Sequence, residues 1–311
     1  MKTLLKISLL LVFFSFESCL VYRGYVNVDN AFHVPTVNNN VCKRLKGKVI
    51  VYGIFVDSRQ TGLWTEHDIT STIDSINYAM NWVEKQGQKA GAAVDIDFIY
   101  HQDDKGTIPI RGILSGQTLK GTLFDNGYRG GYATRKVDLW ADKLARDAHR
   151  SLETDSSEIT KTKIRPRGRD ELLATLRDIH GTDNVALMYF LNNYYSDEVS
   201  VAIHTSEDEE PEYAVVSFKQ PAIIAHEFLH LFGALDLYIT PGMRKNKIKR
   251  KREFAMREFP NEVMAFYYRR LDTLNISPLT QYLVGWDNEL SPEHKNMILS
   301  KKVEVAKYCV H

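Results

Sequence analysis

The chain has 311 residues, of which 44% are hydrophobic and 25% charged, a composition that fits a globular protein and excludes a disordered or fibrous one. Its formal net charge of +1 at pH 7 excludes the strong overall field with which basic proteins attract nucleic acid. We therefore expect one domain of catalytic size and no nucleic-acid partner.

The N-terminus has the pattern of an export signal. Lys2 and Lys6 accompany an apolar run of about ten residues that is too short to span a bilayer. Residues 1–18 are therefore predicted to be a signal peptide. The residues before Cys19 resemble a loose bacterial lipobox, which predicts a lipoprotein held at the cell surface or outer membrane by acylated Cys19. A plain secreted protein and an uncleaved anchor are the alternatives.

Two further cysteines, Cys42 and Cys309, remain in the exported chain. Because disulfides persist outside the cytoplasm, they are candidates for a bridge between the ends of the domain; two unpaired thiols are the alternative. Neither has a neighbour at C-x-x-C spacing, which argues against a cysteine-based zinc site. Residues 19–45 lack sustained periodicity and are predicted to be a tether, so that residues 46–311 form the folded domain.

Hydrophobic periodicity predicts the elements of this domain in chain order. Residues 48–57 form a buried strand, and a helix over 66–86 begins with a capping box at Thr65 and Asp68 and closes near Gly87. A strand over 93–101 follows, and then a glycine-rich stretch over 102–135 that predicts loops or an irregular hairpin. Two helices, over 136–153 and 169–180, precede three strands over 184–192, 198–205 and 213–218. This order predicts an α+β or α/β sheet layered with helices.

The stretch PAIIAHEFLHLFGALDLY follows the last strand and is predicted to begin as a helix, with Pro221 in its first turn. Residues four apart lie on one face of a helix, so His226 and His230 can direct two imidazole nitrogens at one point. Glu227 lies one step round the helix, where its carboxylate can reach a metal-bound water without taking a ligand position. The alternative is an amphipathic core helix whose histidines are only hydrogen-bonded.

Gly233 and Asp236 extend the motif to H-E-x-x-H-x-x-G-x-x-D. Glycine readily takes the left-handed conformation that ends a helix and turns the chain sharply, and this turn can return Asp236 to the metal. Two histidines and one carboxylate leave one position of a tetrahedral Zn²⁺ open for water, which is typical of a catalytic site. The prediction is a zinc centre with His226, His230 and Asp236 as ligands and Glu227 as general base.

The string HEFLHLFGALD resembles the zinc signature of the metzincin clan of metallopeptidases, in the variant whose third ligand is aspartate, as in snapalysin-like enzymes. The resemblance implies a metzincin-like zincin fold with a twisted mixed sheet and long helices in an N-terminal lobe, 46–232. A smaller, mostly irregular or helical C-terminal lobe, 233–311, would follow. The resemblance also implies a methionine turn beneath the metal, for which Met264 is the candidate. It further implies that residues 213–218 form the edge strand along the substrate cleft. An extended substrate would pair with this edge as an additional strand.

The chain departs from the metzincin pattern in two places. A long insertion precedes the methionine turn and contains the basic run 244–252. Some metzincins place a tyrosine two residues after the methionine, whereas this chain has Phe266 there and Tyr267 and Tyr268 next. The basic run and the acidic run 207–212 are either solvated loops or elements that attract each other, charged substrates or an anionic surface.

A different third ligand is the main alternative at the site. Gluzincins share H-E-x-x-H but take a glutamate from a downstream helix, and Glu258 or Glu262 could serve in that way. That arrangement leaves Gly233 and Asp236 unexplained, so the sequence favours Asp236.

The residues and the resemblance together predict an exported zinc-dependent endopeptidase that acts on protein or peptide substrates. Its membrane contact would be through the lipid anchor only. A non-catalytic surface binding protein on a metallopeptidase scaffold is one alternative, and a zinc hydrolase of another amide is a second.

Overall fold

The computed structural model describes residues 44–58, 62–114, 118, 121, 132–152, 167–192, 200–203, 212–238, 246–287 and 289–298. The predicted signal peptide, nearly all of the tether, and Cys19, Cys42 and Cys309 lie outside the described residues. Among the helices that are described, none is long and apolar enough to cross a membrane.

A mixed sheet forms the centre of the molecule. Its strands are β1 (Gly47–Asp57), β2 (Val94–Tyr100), β3 (Ile110–Arg111), β4 (Val185–Leu191), β5 (Val201–Ile203) and β6 (Tyr213–Val216). The order across the sheet is β2-β1-β4-β6-β5, and β3 pairs with the end of β1. Every pair is parallel except β5 with β6. The central strands β1 and β4 are almost uniformly apolar because both of their faces are covered.

Helices cover both faces of this sheet. They are α1 (Glu66–Lys89), α2 (Tyr132–Arg150), α3 (Gly168–His180), α4 (Pro221–His230), α5 (Asn246–Glu258), α6 (Val263–Phe266), α7 (Pro278–Leu283) and α8 (Pro292–Ile298). One core lies between the sheet and α1, α4 and the C-terminal segment, and the other lies between the sheet and α2 and α3. Alternate residues of β1 enter the two cores, with Val49 and Val51 in the first and Ile50 and Tyr52 in the second. The protein is thus an α+β protein with a mixed sheet.

The N-terminal end of the described body packs against its C-terminal part. Leu45 is fully buried, and its N–H donates to the Val284 carbonyl at 3.0 Å. The Trp286 indole donates to the Leu45 carbonyl at 2.6 Å. The folded body therefore includes at least one residue of the predicted tether.

The predicted end of the first helix at Gly87 is wrong, although its capping box of Thr65 and Asp68 is confirmed. Helix α1 continues to Lys89, and the left-handed glycine just beyond it is Gly91, with φ of +73°. Gly87 instead permits close packing within the helix. A Cβ there would lie 3.0 Å from the Val94 side chain, so this glycine serves contact with β2 and does not terminate the helix.

The prediction that 213–218 is the edge strand before the active-site helix is also wrong. β6 lies between β4 and β5, and β5 is the outer strand on that side. All four residues of β6 are buried, which suits an internal strand paired on both sides. The described edge is therefore β5, inside the predicted strand 198–205, and it runs antiparallel to β6.

Most of the basic run 244–252 is helical, since α5 spans Asn246–Glu258. The segment contains neither Gly nor Pro and is rich in Lys, Arg, Glu, Ala and Met, which are good helix formers. Its apolar residues come mostly after the basic run, so a periodicity judged on 244–252 alone does not reveal the helix. Of the acidic run 207–212, only Glu212 is described.

Candidate metal centre

Helix α4 and the turn after it bring the motif residues together. Pro221 occupies the first turn as predicted, and the apolar residues of α4 anchor the helix in the core. The helix ends at His230, whose carbonyl accepts from the Gly233 N–H at 2.9 Å. Gly233 has φ of +92°, a left-handed value that favours glycine. This turn returns Asp236 to the histidines.

Three ligand atoms converge at the end of α4. The Nε2 atoms of His226 and His230 are 3.1 Å apart, and Asp236 Oδ1 lies 3.2 Å from the first and 3.1 Å from the second. The two histidine side chains are only 4% and 8% exposed, whereas that of Asp236 is 28% exposed. The cluster is therefore enclosed on its histidine side and open beside the carboxylate.

The other ring nitrogens fix the protonation of the two histidines. His230 Nδ1 is 2.8 Å from the Ala234 carbonyl, and His226 Nδ1 is 3.3 Å from the Val263 carbonyl. A carbonyl can only accept, so each Nδ1 carries a proton and each Nε2 points into the cluster, where it offers its lone pair to a metal once it carries no proton. Two such lone pairs and a carboxylate oxygen together require a positive charge among them. His226, His230 and Asp236 could hold a metal ion.

The pKa values of the metal-free cluster show the same demand for positive charge. Burial disfavours the charged form of His230 and so acts to lower its pKa. The charge and hydrogen bond of Asp236, the charge of Glu227 and the hydrogen bond to the Ala234 carbonyl act in the opposite direction and raise this pKa to about 9. Burial of Asp236 opposes its ionisation, yet the neighbouring histidines hold the pKa of this carboxyl well below its usual range. The cluster thus attracts a proton when no metal is bound, and metal binding must displace it.

Glu227 lies beside the cluster without joining the triangle of ligand atoms. Its side chain is buried, and burial raises the pKa of its carboxyl, while the histidines His226 and His230 act in the opposite direction. The carboxylate accepts a hydrogen bond from the backbone N–H of Ala202 in the edge strand β5. The predicted base is therefore held between the candidate metal ligands and the edge of the sheet.

The segment around Met264 packs against the motif and makes backbone hydrogen bonds to it. Met264 is fully buried, and its carbonyl accepts from the N–H of Leu237, the residue after the candidate ligand Asp236. The preceding carbonyl, that of Val263, orients His226. The carbonyls of two successive residues, Val263 and Met264, thus contact His226 and the residue after Asp236.

Neither alternative glutamate ligand lies in the cluster. Glu262 is fully buried and accepts hydrogen bonds from the Met264 N–H at 3.1 Å, the Thr280 hydroxyl at 3.2 Å and the Ser277 N–H. Glu258 lies at the end of α5, with Oε1 3.9 Å from His294 Nε2. Glu262 thus stabilises the turn that carries Val263, and the gluzincin-type ligand set is not formed.

Two tyrosines line the cluster. The Tyr267 ring lies 4.8 Å from that of His226, and the Tyr238 ring lies 5.2 Å from that of Tyr267. Tyr268, by contrast, is 63% exposed, so Tyr267 is the one of the two tyrosines after Phe266 that reaches the site. Burial and the charges of Asp236 and Glu227 raise the pKa of both Tyr238 and Tyr267, which keeps their hydroxyls protonated.

Sequence reasoning missed Tyr238 and a basic side chain behind it. Arg252 of α5 donates from Nη1 to the Tyr238 carbonyl at 2.7 Å. Tyr238 comes two residues after Asp236, which was a signal that could have been followed. No sequence pattern marks Arg252, because its contact with this loop depends on how α5 packs after the long insertion that follows Asp236.

Comparison with known proteins finds no family model, no curated protein and no solved structure that matches this chain. The interpretation of the cluster therefore rests on its own residues and geometry.

Proposed function

We propose that this protein is a zinc-dependent endopeptidase of metzincin-like type. The observation that carries the proposal is the convergence of His226, His230 and Asp236 on one point, with the buried carboxylate of Glu227 beside it. A core helix that only buries two hydrogen-bonded histidines has no need of a third, negatively charged group in contact with both.

The donor set fits zinc better than other common cations. Tetrahedral zinc with bonds to nitrogen of about 2.0–2.1 Å separates its ligand atoms by about 3.3 Å. The three atoms here are 3.1 and 3.2 Å apart. Magnesium and calcium prefer sets of oxygen ligands, whereas two imidazoles with one carboxylate suit zinc. Three protein ligands also leave a position for water, as in catalytic sites.

Glu227 supplies the acid–base step of the proposed reaction. Bound zinc would supply a Lewis acid and a water of lowered pKa. Glu227 accepts a proton from the attacking water and passes it to the leaving nitrogen of the peptide bond.

We propose that the substrate backbone binds along the edge strand β5. Ala202 lies on this strand and donates its backbone N–H to Glu227, so the sheet edge and the base are adjacent. An extended peptide can add to a sheet edge through main-chain hydrogen bonds. That pairing would place a scissile bond beside the proposed base.

The localisation proposal follows from the sequence. The N-terminal signal predicts export, and acylation of Cys19 would tether the peptidase at the cell surface. Incorporation of labelled palmitate into the wild type but not into Cys19→Ala tests the anchor. Release of an unlabelled wild-type protein into the medium would favour plain secretion.

The test of the enzymatic proposal is hydrolysis of an unfolded protein substrate by the exported chain. Removal of zinc with a chelator should abolish cleavage, and added zinc should restore it. Glu227→Gln should lower the rate by about 100- to 10,000-fold, the range for general acid–base groups, with unchanged zinc content and circular dichroism. Glu258→Gln is the matched control, since it removes a carboxylate outside the cluster.

Two outcomes would contradict the proposal. Full activity of Glu227→Gln would remove the assigned base. A correctly folded wild type that retains zinc and binds ligands without hydrolysing any peptide bond would support the binding-protein alternative.

A further inference from the structure

Helix α5 places a charged residue on an otherwise apolar inner face. Ala255 and Phe259 are buried, and Met256 packs against the first core. Arg252 precedes them at helical spacing and is itself partly buried. The opposite face carries exposed side chains, among them Arg250. Arg252 therefore faces the loop of the metal centre and not the solvent side of the helix.

Arg252 has one hydrogen bond and no counter-ion among the described residues. Its Nη1 donates to the Tyr238 carbonyl at 2.7 Å, two residues beyond the ligand Asp236. A guanidinium has five N–H donors, and a cation withdrawn from water without a partner is costly. The positive charge is thus held against the loop that follows Asp236, with donors to spare.

Arg169, which is fully buried, shows how this fold treats a structural guanidinium. Arg169 lies on the other side of the sheet, where its Nε is 2.8 Å from Asp142 and its Nη1 is 3.6 Å from Asp138. Its guanidinium also stacks 4.6 Å above the centre of the Tyr213 ring. Arg169 is thus neutralised within the chain. Arg252 has no such carboxylate among the residues that the structure describes, which favours an anion supplied from outside the chain.

We propose that Arg252 determines specificity by binding a carboxylate of the substrate. The inference rests on the proposed peptidase function and adds a substrate class to it. The carboxylate belongs either to an acidic side chain near the scissile bond or to the free C-terminus of a short peptide. A planar guanidinium matches a carboxylate with two parallel hydrogen bonds. An anionic membrane is disfavoured, because it would meet the outward-facing cations of α5 and not Arg252.

The first experiment compares peptides of one cleavable sequence. One carries Glu beside the cleavage site, one carries Gln there, both with blocked ends, and a third carries Gln with a free C-terminus. We expect the wild type to show a kcat/KM at least about 10-fold higher for one carboxylate peptide than for the blocked Gln peptide. Which peptide is preferred identifies the source of the carboxylate.

The variants assign that preference to one residue. Arg252→Gln should bring the ratio close to one, and Arg252→Lys should keep part of it, because lysine retains the charge but not the planar pair of donors. Arg250→Gln is the matched control: it removes the same charge from the exposed face of the same helix and should leave the ratio unchanged. Circular dichroism and zinc content establish that each variant is folded and loaded.

Equilibrium binding separates this inference from the proposed function. Fluorescence anisotropy of the same peptides on zinc-loaded Glu227→Gln measures recognition without turnover. If the wild type cleaves nothing but the carboxylate preference in binding is present and requires Arg252, the inference holds and the peptidase proposal fails. If all three peptides are cleaved equally, the inference is overturned and the peptidase proposal stands. Binding of the protein to anionic phospholipid vesicles that requires Arg252, without any peptide preference, also overturns it.

Discussion

The two faces of the sheet both bury charged groups, but they neutralise them differently. On the side of α2 and α3, Arg169 is 1% exposed and meets the carboxylates of Asp142 and Asp138. On the side of α4, two histidines and Asp236 meet one another, and the charge that would balance them is a proton or a metal ion. Removal of one partner from buried charges that the chain itself balances destabilises the fold, whereas an unbalanced set is a candidate site for a ligand.

The hydrogen bonds around each set support the same distinction. Asp138 also accepts a hydrogen bond from the Tyr213 hydroxyl at 2.9 Å, so the charges opposite Arg169 are shared within the chain. At the candidate metal centre, backbone carbonyls accept from the Nδ1 atoms, so both Nε2 atoms are available for a cation. Mutation of the two sets should therefore affect different measurements.

The largest effect is expected from Asp236→Ala on metal affinity. Structural zinc sites with four ligands bind with about 10–16 kcal/mol, so loss of one ligand should cost about 4 kcal/mol, or about 1,000-fold in affinity. Competition with a zinc chelator measures this. Because a ligand at 100 times its Kd stabilises a protein by about 2.7 kcal/mol, the zinc-dependent rise in Tm should also disappear. Unchanged affinity would mean that Asp236 is not a ligand.

The next largest effect is expected from Arg169→Met on stability. The variant leaves Asp142 and Asp138 without their cation and should lower the free energy of unfolding by about 3 kcal/mol, measured in urea. Zinc affinity of the folded variant should not change. Arg150→Gln is the control, because its pair with Asp147 is 63% exposed on the arginine side and should contribute less than about 1 kcal/mol. A loss of zinc in Arg169→Met would contradict the separation of the two faces.

The α4 face was the more predictable of the two from sequence. Local spacing determines that His226 and His230 share a helix face, and Gly233 determines where the chain turns, so the cluster follows from eleven consecutive residues. The strands and helices also follow from periodicity, and most boundaries lie within a few residues of those predicted. Whether the ligands bind zinc and support hydrolysis stays a prediction.

The features that sequence reasoning missed depend on distant segments. The position of β5 outside β6 arises because the chain doubles back after β4, and strand order cannot be read from the order of segments. The carboxylate partners of Arg169 come from α2, and Asp142 lies 27 positions earlier in the chain. Likewise, Arg252 reaches Tyr238 only because α5 packs by its later residues, Ala255 and Phe259. Such contacts are properties of tertiary packing, which no local pattern encodes.

A smaller effect that links fold and site is expected from Glu262→Gln. The carboxylate accepts three hydrogen bonds, and glutamine would present an N–H₂ group to a donor, which should lower the free energy of unfolding by about 2 kcal/mol. The same turn carries the Val263 carbonyl that orients His226, so zinc affinity should fall by about 10-fold. Glu258→Gln should change neither quantity. A complete loss of zinc would instead favour Glu262 as a ligand.

The smallest effect concerns pH and His101, which follows β2 and is 4% exposed. Burial lowers its pKa, against the charges of Asp103 and Asp147, and its buried Nδ1 has no partner in the described parts of the chain. As the pH falls below about 6.5, the unfolded chain takes up this proton before the folded protein does. The stabilising contribution of His101 is therefore complete above that pH and is lost as the pH falls through the pKa of the folded state.

Urea unfolding at pH 7.5 and 5.5 measures this effect. The loss of stability between the two pH values should be smaller in His101→Gln than in the wild type or in His67→Gln, whose histidine is exposed on α1. Equal losses in all three would mean that His101 accepts its proton in the folded state as readily as in the unfolded chain.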